Sequence, residues 1–159
     1  MSGIAAEVGG LLRKRSLTLS VAESCTGGKI GDMLTEVPGS SDYFLGGIVS
    51  YSNQAKVDLL GVKRKSLDSV GAVSEEVAIQ MVSGAIRAFG SDVAVSTTGI
   101  AGPTGATAEK PVGLVYIAVG SEKASVCARE VFKGDRSAVK EQAAVKALEM
   151  LKDFLLRQK

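Results

Sequence analysis

The chain has 159 residues, the length of one ordinary domain, and its 45% hydrophobic and 23% charged residues support a buried core and exclude a disordered segment. Nineteen Lys and Arg against 17 Asp and Glu leave a net charge of +2 with no long basic run, which argues against a dedicated nucleic-acid binder. There is no histidine, which removes Ser-His-Asp and Cys-His arrangements, His-ligated metals and every imidazole acid or base.

Ile4, Val8, Leu11 and Leu12 fall on one face of a first helix, and Arg13-Lys14-Arg15 suit its negative C-terminal end. Leu17 to Ala22 alternates with Thr and Ser and predicts a strand. Gly27-Gly28 then opens a helix carrying Ile30, Met33 and Leu34, which ends near Pro38-Gly39. Phe44 to Tyr51 predicts a second strand; Ser52 caps a short helix through Leu60, stopped by Gly61. Ser74-Glu75-Glu76 starts a helix that runs to Phe89 and stops at Gly90. Val93 to Thr97 predicts a third strand, followed by a Gly-rich loop. Val112–Val119 and Ser125–Phe132 then form a hairpin around a short polar turn. Asp135 caps a last helix through Leu156, with Val139, Ala143, Ala147, Leu148, Leu151 and Leu155 on its apolar face. No repeat, low-complexity tract or interdomain linker interrupts residues 1–159. The expected architecture is one α/β domain, a three-layer α/β/α sandwich on a mixed sheet, because the hairpin is incompatible with an all-parallel one.

Cys25 and Cys127 are far apart, without a CxxC pair or zinc-type spacing, so a structural metal is not expected; two lone thiols fit a reducing compartment, with a single long-range disulfide as the alternative. The N-terminus lacks a basic region before an apolar stretch, and the longest apolar run, Val112 to Val119, is far short of the ~20 residues that span a bilayer. A soluble, cytoplasmic protein is expected.

Three loops can carry chemistry. Ala22-Glu23-Ser24-Cys25-Thr26-Gly27-Gly28 places a nucleophile beside a helix N-terminus, whose free N–H groups can stabilise an oxyanion; an ordinary strand-to-helix turn has the same composition. Neither a Walker A loop nor a GxSxG elbow is present. Tyr51-Ser52-Asn53-Gln54-Ala55-Lys56 offers a lysine, the usual base for a serine when histidine is absent. Lysine serves only when burial or a nearby cation lowers its pKa; a solvated surface lysine is the plainer reading. Ser137-Ala138-Val139-Lys140 is formally S-x-x-K but reads as ordinary helix. Thr97-Thr98-Gly99-Ile100-Ala101-Gly102-Pro103-Thr104-Gly105, continuing through Glu109-Lys110-Pro111, is long enough to be functional, and its glycines and hydroxyls can form an anion-binding nest. Arg136 falls in the first turn of the last helix, as a phosphate contact or a surface charge.

Taken in order, Ala22–Gly28, Tyr51-Ser52-Asn53 with Lys56, Gly71-Ala72-Val73-Ser74, Gly99–Pro103, Lys110-Pro111-Val112-Gly113 and Gly134-Asp135-Arg136 resemble the CinA C-terminal domain family. Its characterised members are nicotinamide mononucleotide deamidases. The resemblance covers nearly the whole chain; one departure is Ala106, where the family often has a second glycine after Gly105. It implies hydrolysis of the nicotinamide carboxamide to nicotinic acid mononucleotide and ammonia. Ser24 would be the nucleophile and Lys56 the base, with Tyr51 orienting the pair. The candidate substrate-binding residues are Thr26, Gly27, Gly28, Asn53, Gly99, Gly102, Thr104, Gly105 and Arg136, with Arg136 and the Gly102–Gly105 loop including Thr104 for the phosphate. No metal, cofactor, nucleic acid or membrane is implied, and a homo-oligomer stays open. Some members carry an N-terminal molybdopterin-binding-type domain linked to dinucleotide pyrophosphatase activity; that activity is not expected of 159 residues. The competing expectation is a non-catalytic nucleotide-binding or competence- or DNA-damage-related interaction domain. Ser24, Lys56 and the Gly-rich loop together favour the enzyme.

Overall fold

The computed structural model describes residues 2–158. The apolar spacing at the N-terminus becomes α1 (Ser2–Arg15), with Val8 and Leu12 fully buried and the basic triplet in its last turn. β1 (Leu19–Glu23), α2 (Lys29–Thr35), β2 (Phe44–Val49) and α3 (Asn53–Leu60) follow. A 3-10 turn at Ser40–Asp42 and α4 (Arg64–Ser69) are additions to the expected elements, both too short to show a periodic apolar pattern. α5 (Glu75–Phe89), β3 (Val93–Gly99), β4 (Leu114–Ser121), β5 (Ser125–Val131) and α6 (Arg136–Arg157) complete the chain. The expected caps form: Ser52, Ser74 and Asp135 accept through their side chains from the amides of Ala55, Val77 and Ala138. Gly61 and Gly90 close their helices in the left-handed conformation.

The strands form one sheet in the order β2-β1-β3-β4-β5. β1 is parallel to both β2 and β3, while β4 is antiparallel to β3 and β5. α1, α2 and α6 cover one face around Leu12, Ile30 and Leu148, and α3, α4 and α5 cover the other around Leu60, Leu67 and Met81. The result is the expected α/β/α sandwich on a mixed sheet. The chain leaves β1 towards β2 on one side, and β3 lies on the other, so the carboxyl ends of β1 and β3 flank a topological switch point. Crevices that bind ligands form at such points. Residues 100–113 join β3 to β4 without a helix, close to that same end.

One core position is imperfect. Tyr43 packs beneath α1 at Gly9, where an added Cβ would lie 2.2 Å from the tyrosine hydroxyl oxygen. That hydroxyl is buried and has no hydrogen-bond partner among the described residues, while the Arg13 guanidinium lies over the ring, 5.5 Å from its centre. An unmet buried hydroxyl costs stability, so Tyr43→Phe is expected to stabilise the fold by about 1 kcal/mol, read from urea unfolding. No described helix is long and apolar enough to cross a membrane.

Candidate active site

Ser24 follows the last residue of β1, and its amide donates to Thr97 O at 3.1 Å, which continues the β1–β3 ladder by one bond. The chain then turns sharply: Gly27 N donates to Ser24 O at 3.0 Å, and Gly27 and Gly28 adopt φ of +61° and +105°. Those angles explain the paired glycines, since other residues occupy that region only with strain. Gly28 is also the N-cap of α2 and has no side chain with which to cap it.

The cap comes instead from Glu23, a residue that sequence reasoning passed over. Its carboxylate is 1% exposed and accepts four hydrogen bonds: from Thr26 Oγ1 at 2.6 Å, Gly28 N at 3.2 Å, Ile30 N at 3.0 Å and Gly31 N at 2.9 Å. Lys29 N donates to Thr26 O. The expectation that α2 offers free N–H groups to an oxyanion is therefore corrected. A carboxylate of the chain itself already occupies the positive end of that helix.

Lys56 is carried by the first turn of α3 and is only 2% exposed. Its Nζ lies 2.9 Å from Ser24 Oγ and donates to Ser50 O at 2.7 Å. Burial disfavours the ammonium form and lowers the lysine pKa below its ordinary value, against a smaller opposing effect of Cys25. Ser50 is itself fixed, because its amide donates to Glu23 O at 2.8 Å. Ser24 and the carbonyl of Ser50 that anchors the Lys56 amine thus follow adjacent, directly bonded strand ends.

Strand alternation predicts that only one of Ser24 and Cys25 faces the loops, yet both line the same cleft. The chain has left the strand at this point, so alternation no longer applies. Their chemistry separates them: burial pushes the Cys25 thiol up to about 11, which keeps it protonated near neutral pH.

The cleft has a volume of about 240 Å³. Tyr51, Asn53, Gly99, Gly102, Thr104, Gly105 and Arg136 line it together with Ser24 and Lys56. Thr26, Gly27 and Gly28 do not. Thr26 is buried and bonded to Glu23 and Thr97, and the two glycines form the turn into α2. Ala72, Val73, Thr98 and Ile100 add walls that the candidate set lacks. Thr98 Oγ1 donates to Ala72 O at 2.9 Å and so ties the 70–74 connection to β3.

Tyr51 is 61% exposed, and its hydroxyl accepts from Arg136 Nη2 at 2.8 Å. Arg136 Nη1 donates to Gly102 O at 2.7 Å. Ser50 O accepts from Lys56 Nζ, and the hydroxyl of Tyr51, the residue expected to orient the pair, pairs with Arg136 in a clamp at the cleft mouth. Beside it, Lys29, Asp135, Arg136, Ser137 and Lys140 line a second hollow, and the S-x-x-K run lies within α6 as expected. No group of three or more His, Cys, Asp or Glu among the described residues is arranged to hold a metal.

A family model described as the CinA C-terminal domain matches residues 1–155, and the chain belongs to that family. It is 50% identical over 149 residues to a CinA-like protein of Geotalea uraniireducens, matching 94% of this chain and 36% of the relative. The chain therefore spans about a third of the length of that curated relative. Among solved structures it is similar to the competence/damage inducible protein CihA from Agrobacterium tumefaciens (39% identity, TM-score 0.94, covering 98% of this chain and 95% of that one). It is also similar to the competence damage-inducible protein A (ComA) from Klebsiella pneumoniae (32% identity, TM-score 0.96, covering 99% and 98%).

Proposed function

We propose that this member of the CinA C-terminal domain family is an amidohydrolase that converts nicotinamide mononucleotide to nicotinic acid mononucleotide and ammonia through a Ser24–Lys56 dyad. One observation carries the reading: a lysine buried to 2% exposure holds its amine 2.9 Å from a serine hydroxyl at the wall of a cleft. A buried lysine without a carboxylate partner is costly unless its neutral form is useful, and a neutral amine is the base that a histidine-free chain otherwise lacks.

The steps follow from that contact. Neutral Lys56 accepts the Ser24 proton as Oγ bonds to the carboxamide carbon. The tetrahedral oxyanion needs donors, and the amide of Cys25, on the nucleophile's own turn and at the cleft wall, donates to no backbone carbonyl. The Lys56 ammonium then returns the proton to the nitrogen, the C–N bond breaks, and ammonia leaves an acyl ester on Ser24. Water, deprotonated by the same amine, cleaves the ester to the carboxylate and restores Ser24. No step calls on a metal or cofactor. The proposed setting is the cytoplasm.

The substrate phosphate falls to Arg136, with Thr104 and the Gly102–Gly105 loop. Two of the five guanidinium N–H groups are engaged by Gly102 O and Tyr51, leaving three. Arg136→Ala is expected to lower kcat/KM for the mononucleotide by about 10–100-fold, and to affect the phosphate-free riboside much less. Equal loss on both substrates would assign Arg136 to loop anchoring alone. The function itself is tested by incubating the purified chain with nicotinamide mononucleotide and measuring ammonia and the product mass. Binding without ammonia release would favour the non-catalytic nucleotide-binding domain.

A further inference from the structure

We infer that Glu23 is a positioning residue for the Ser24 nucleophile. This rests on the dyad reading above and adds a residue that the dyad does not include. Glu23 is held from both ends. Its carboxylate is fixed by Thr26 Oγ1 and the amides of Gly28, Ile30 and Gly31, and its backbone carbonyl accepts from Ser50 N. Ser50 O is in turn the acceptor for Lys56 Nζ. Residue 23 is therefore the joint between the turn that carries the nucleophile and the strand end that anchors the base. Moving Ser24 away from Lys56 requires that joint to give.

The arrangement also explains why the cap lies so far back in the chain. Gly28 adopts φ +105°, a conformation that suits glycine, so a serine or aspartate at the cap position would be strained. An acid at position 23 satisfies the same amides and, being bonded directly to residue 24, transmits their rigidity to the nucleophile. Oε1 accepts three neutral donors and Oε2 one, and no described Lys or Arg pairs with the carboxylate, so the positive end of α2 compensates its charge. Thr26 extends the restraint to β3 through its 2.8 Å contact with Thr97 Oγ1.

The test uses Glu23→Gln and Glu23→Ala in the full chain, assayed well below their melting temperatures. Glutamine keeps one acceptor oxygen but presents an NH2 to the Gly31 amide; alanine removes every contact. Both variants are expected to lose about 10–100-fold in kcat with KM within about twofold, alanine more than glutamine. Both should also slow covalent labelling of Ser24 by a sulfonyl fluoride, followed by intact mass, by a similar factor. A lower melting temperature with unchanged kcat and labelling rate would overturn the inference, as would a loss borne wholly by KM. Should alanine fail to fold, glutamine carries the comparison. Labelling needs no amide substrate, so the two readings separate. Wild-type protein that labels at Ser24 without hydrolysing the mononucleotide refutes the amidase reading and leaves the Glu23 comparison intact. Wild-type Ser24 that does not label overturns both.

Discussion

Ser24→Ala is expected to reduce ammonia release from nicotinamide mononucleotide by about 10³-fold or more, while Cys25→Ala keeps most of the activity. A thiol is intrinsically the better nucleophile, so the asymmetry comes from the surroundings. Burial drives the Cys25 pKa to about 11, and its thiolate fraction near pH 7 is negligible. Ser24 Oγ has an amine 2.9 Å away. Alanine at 24 leaves no atom to form the acyl ester, so what remains is the small effect of binding and oxyanion donors. Loss with Cys25→Ala and survival with Ser24→Ala would reverse the assignment. Trapping the acyl-enzyme and locating the added mass provides a check independent of rate.

Removing the base is expected to cost as much. Lys56→Arg retains charge and length, yet guanidinium cannot take a proton near neutral pH, so this variant and Lys56→Met should both fall to the Ser24→Ala level. The double variant should be no worse than either single one, because the two groups act as a unit. The wild-type pH profile has a definite sign. The working form of Lys56 is neutral, so kcat/KM rises with pH and levels off above a pKa that burial has lowered from the ordinary 10.5. Stability carries the same group's signature. Between the lowered folded value and 10.5, the unfolded chain binds the lysine proton and the folded chain does not. The fold therefore gains stability as pH rises through that window, by at most about 1.4 kcal/mol per pH unit from this group. Lys56→Met should lack that increment in urea unfolding measured across the same pH range, and an identical pH dependence in the two proteins would sink the buried-base argument.

Local signals made most of the architecture legible. Caps at Ser52, Ser74 and Asp135, stops at Gly61 and Gly90, and the polar turn before Ser125 each act within a few residues, and each forms as expected. α4 escaped because its six residues bury only Ser66 and Leu67, too little to show a period. The cleft is a different matter. Tyr51 and Arg136 are 85 positions apart, and no local pattern says that they meet. The family resemblance, rather than any periodicity, grouped the segments that line the cleft. Glu23 escaped for the opposite reason. It stands inside a motif already picked out for its serine, and what it does depends on the left-handed turn that follows, which glycine allows but does not dictate. The same turn moves Thr26 and both glycines out of the cleft wall.

The Arg136 clamp has a consequence for the order in which a nascent chain becomes competent. Ser24 and Lys56 are 32 positions apart and are carried by the turn after β1 and by α3. Tyr51 and Gly102 receive their guanidinium only from the first residue of α6, a 22-residue helix that packs on α1, α2, β3 and β4. During synthesis the proposed pair therefore emerges ahead of α6, and the mouth of the cleft stays unfastened until that helix has emerged and docked. A translation product that stops before residue 136 contains the proposed nucleophile and base but not the guanidinium that ties Tyr51 to Gly102. Docking of α6 is itself the step that fastens the mouth of the cleft.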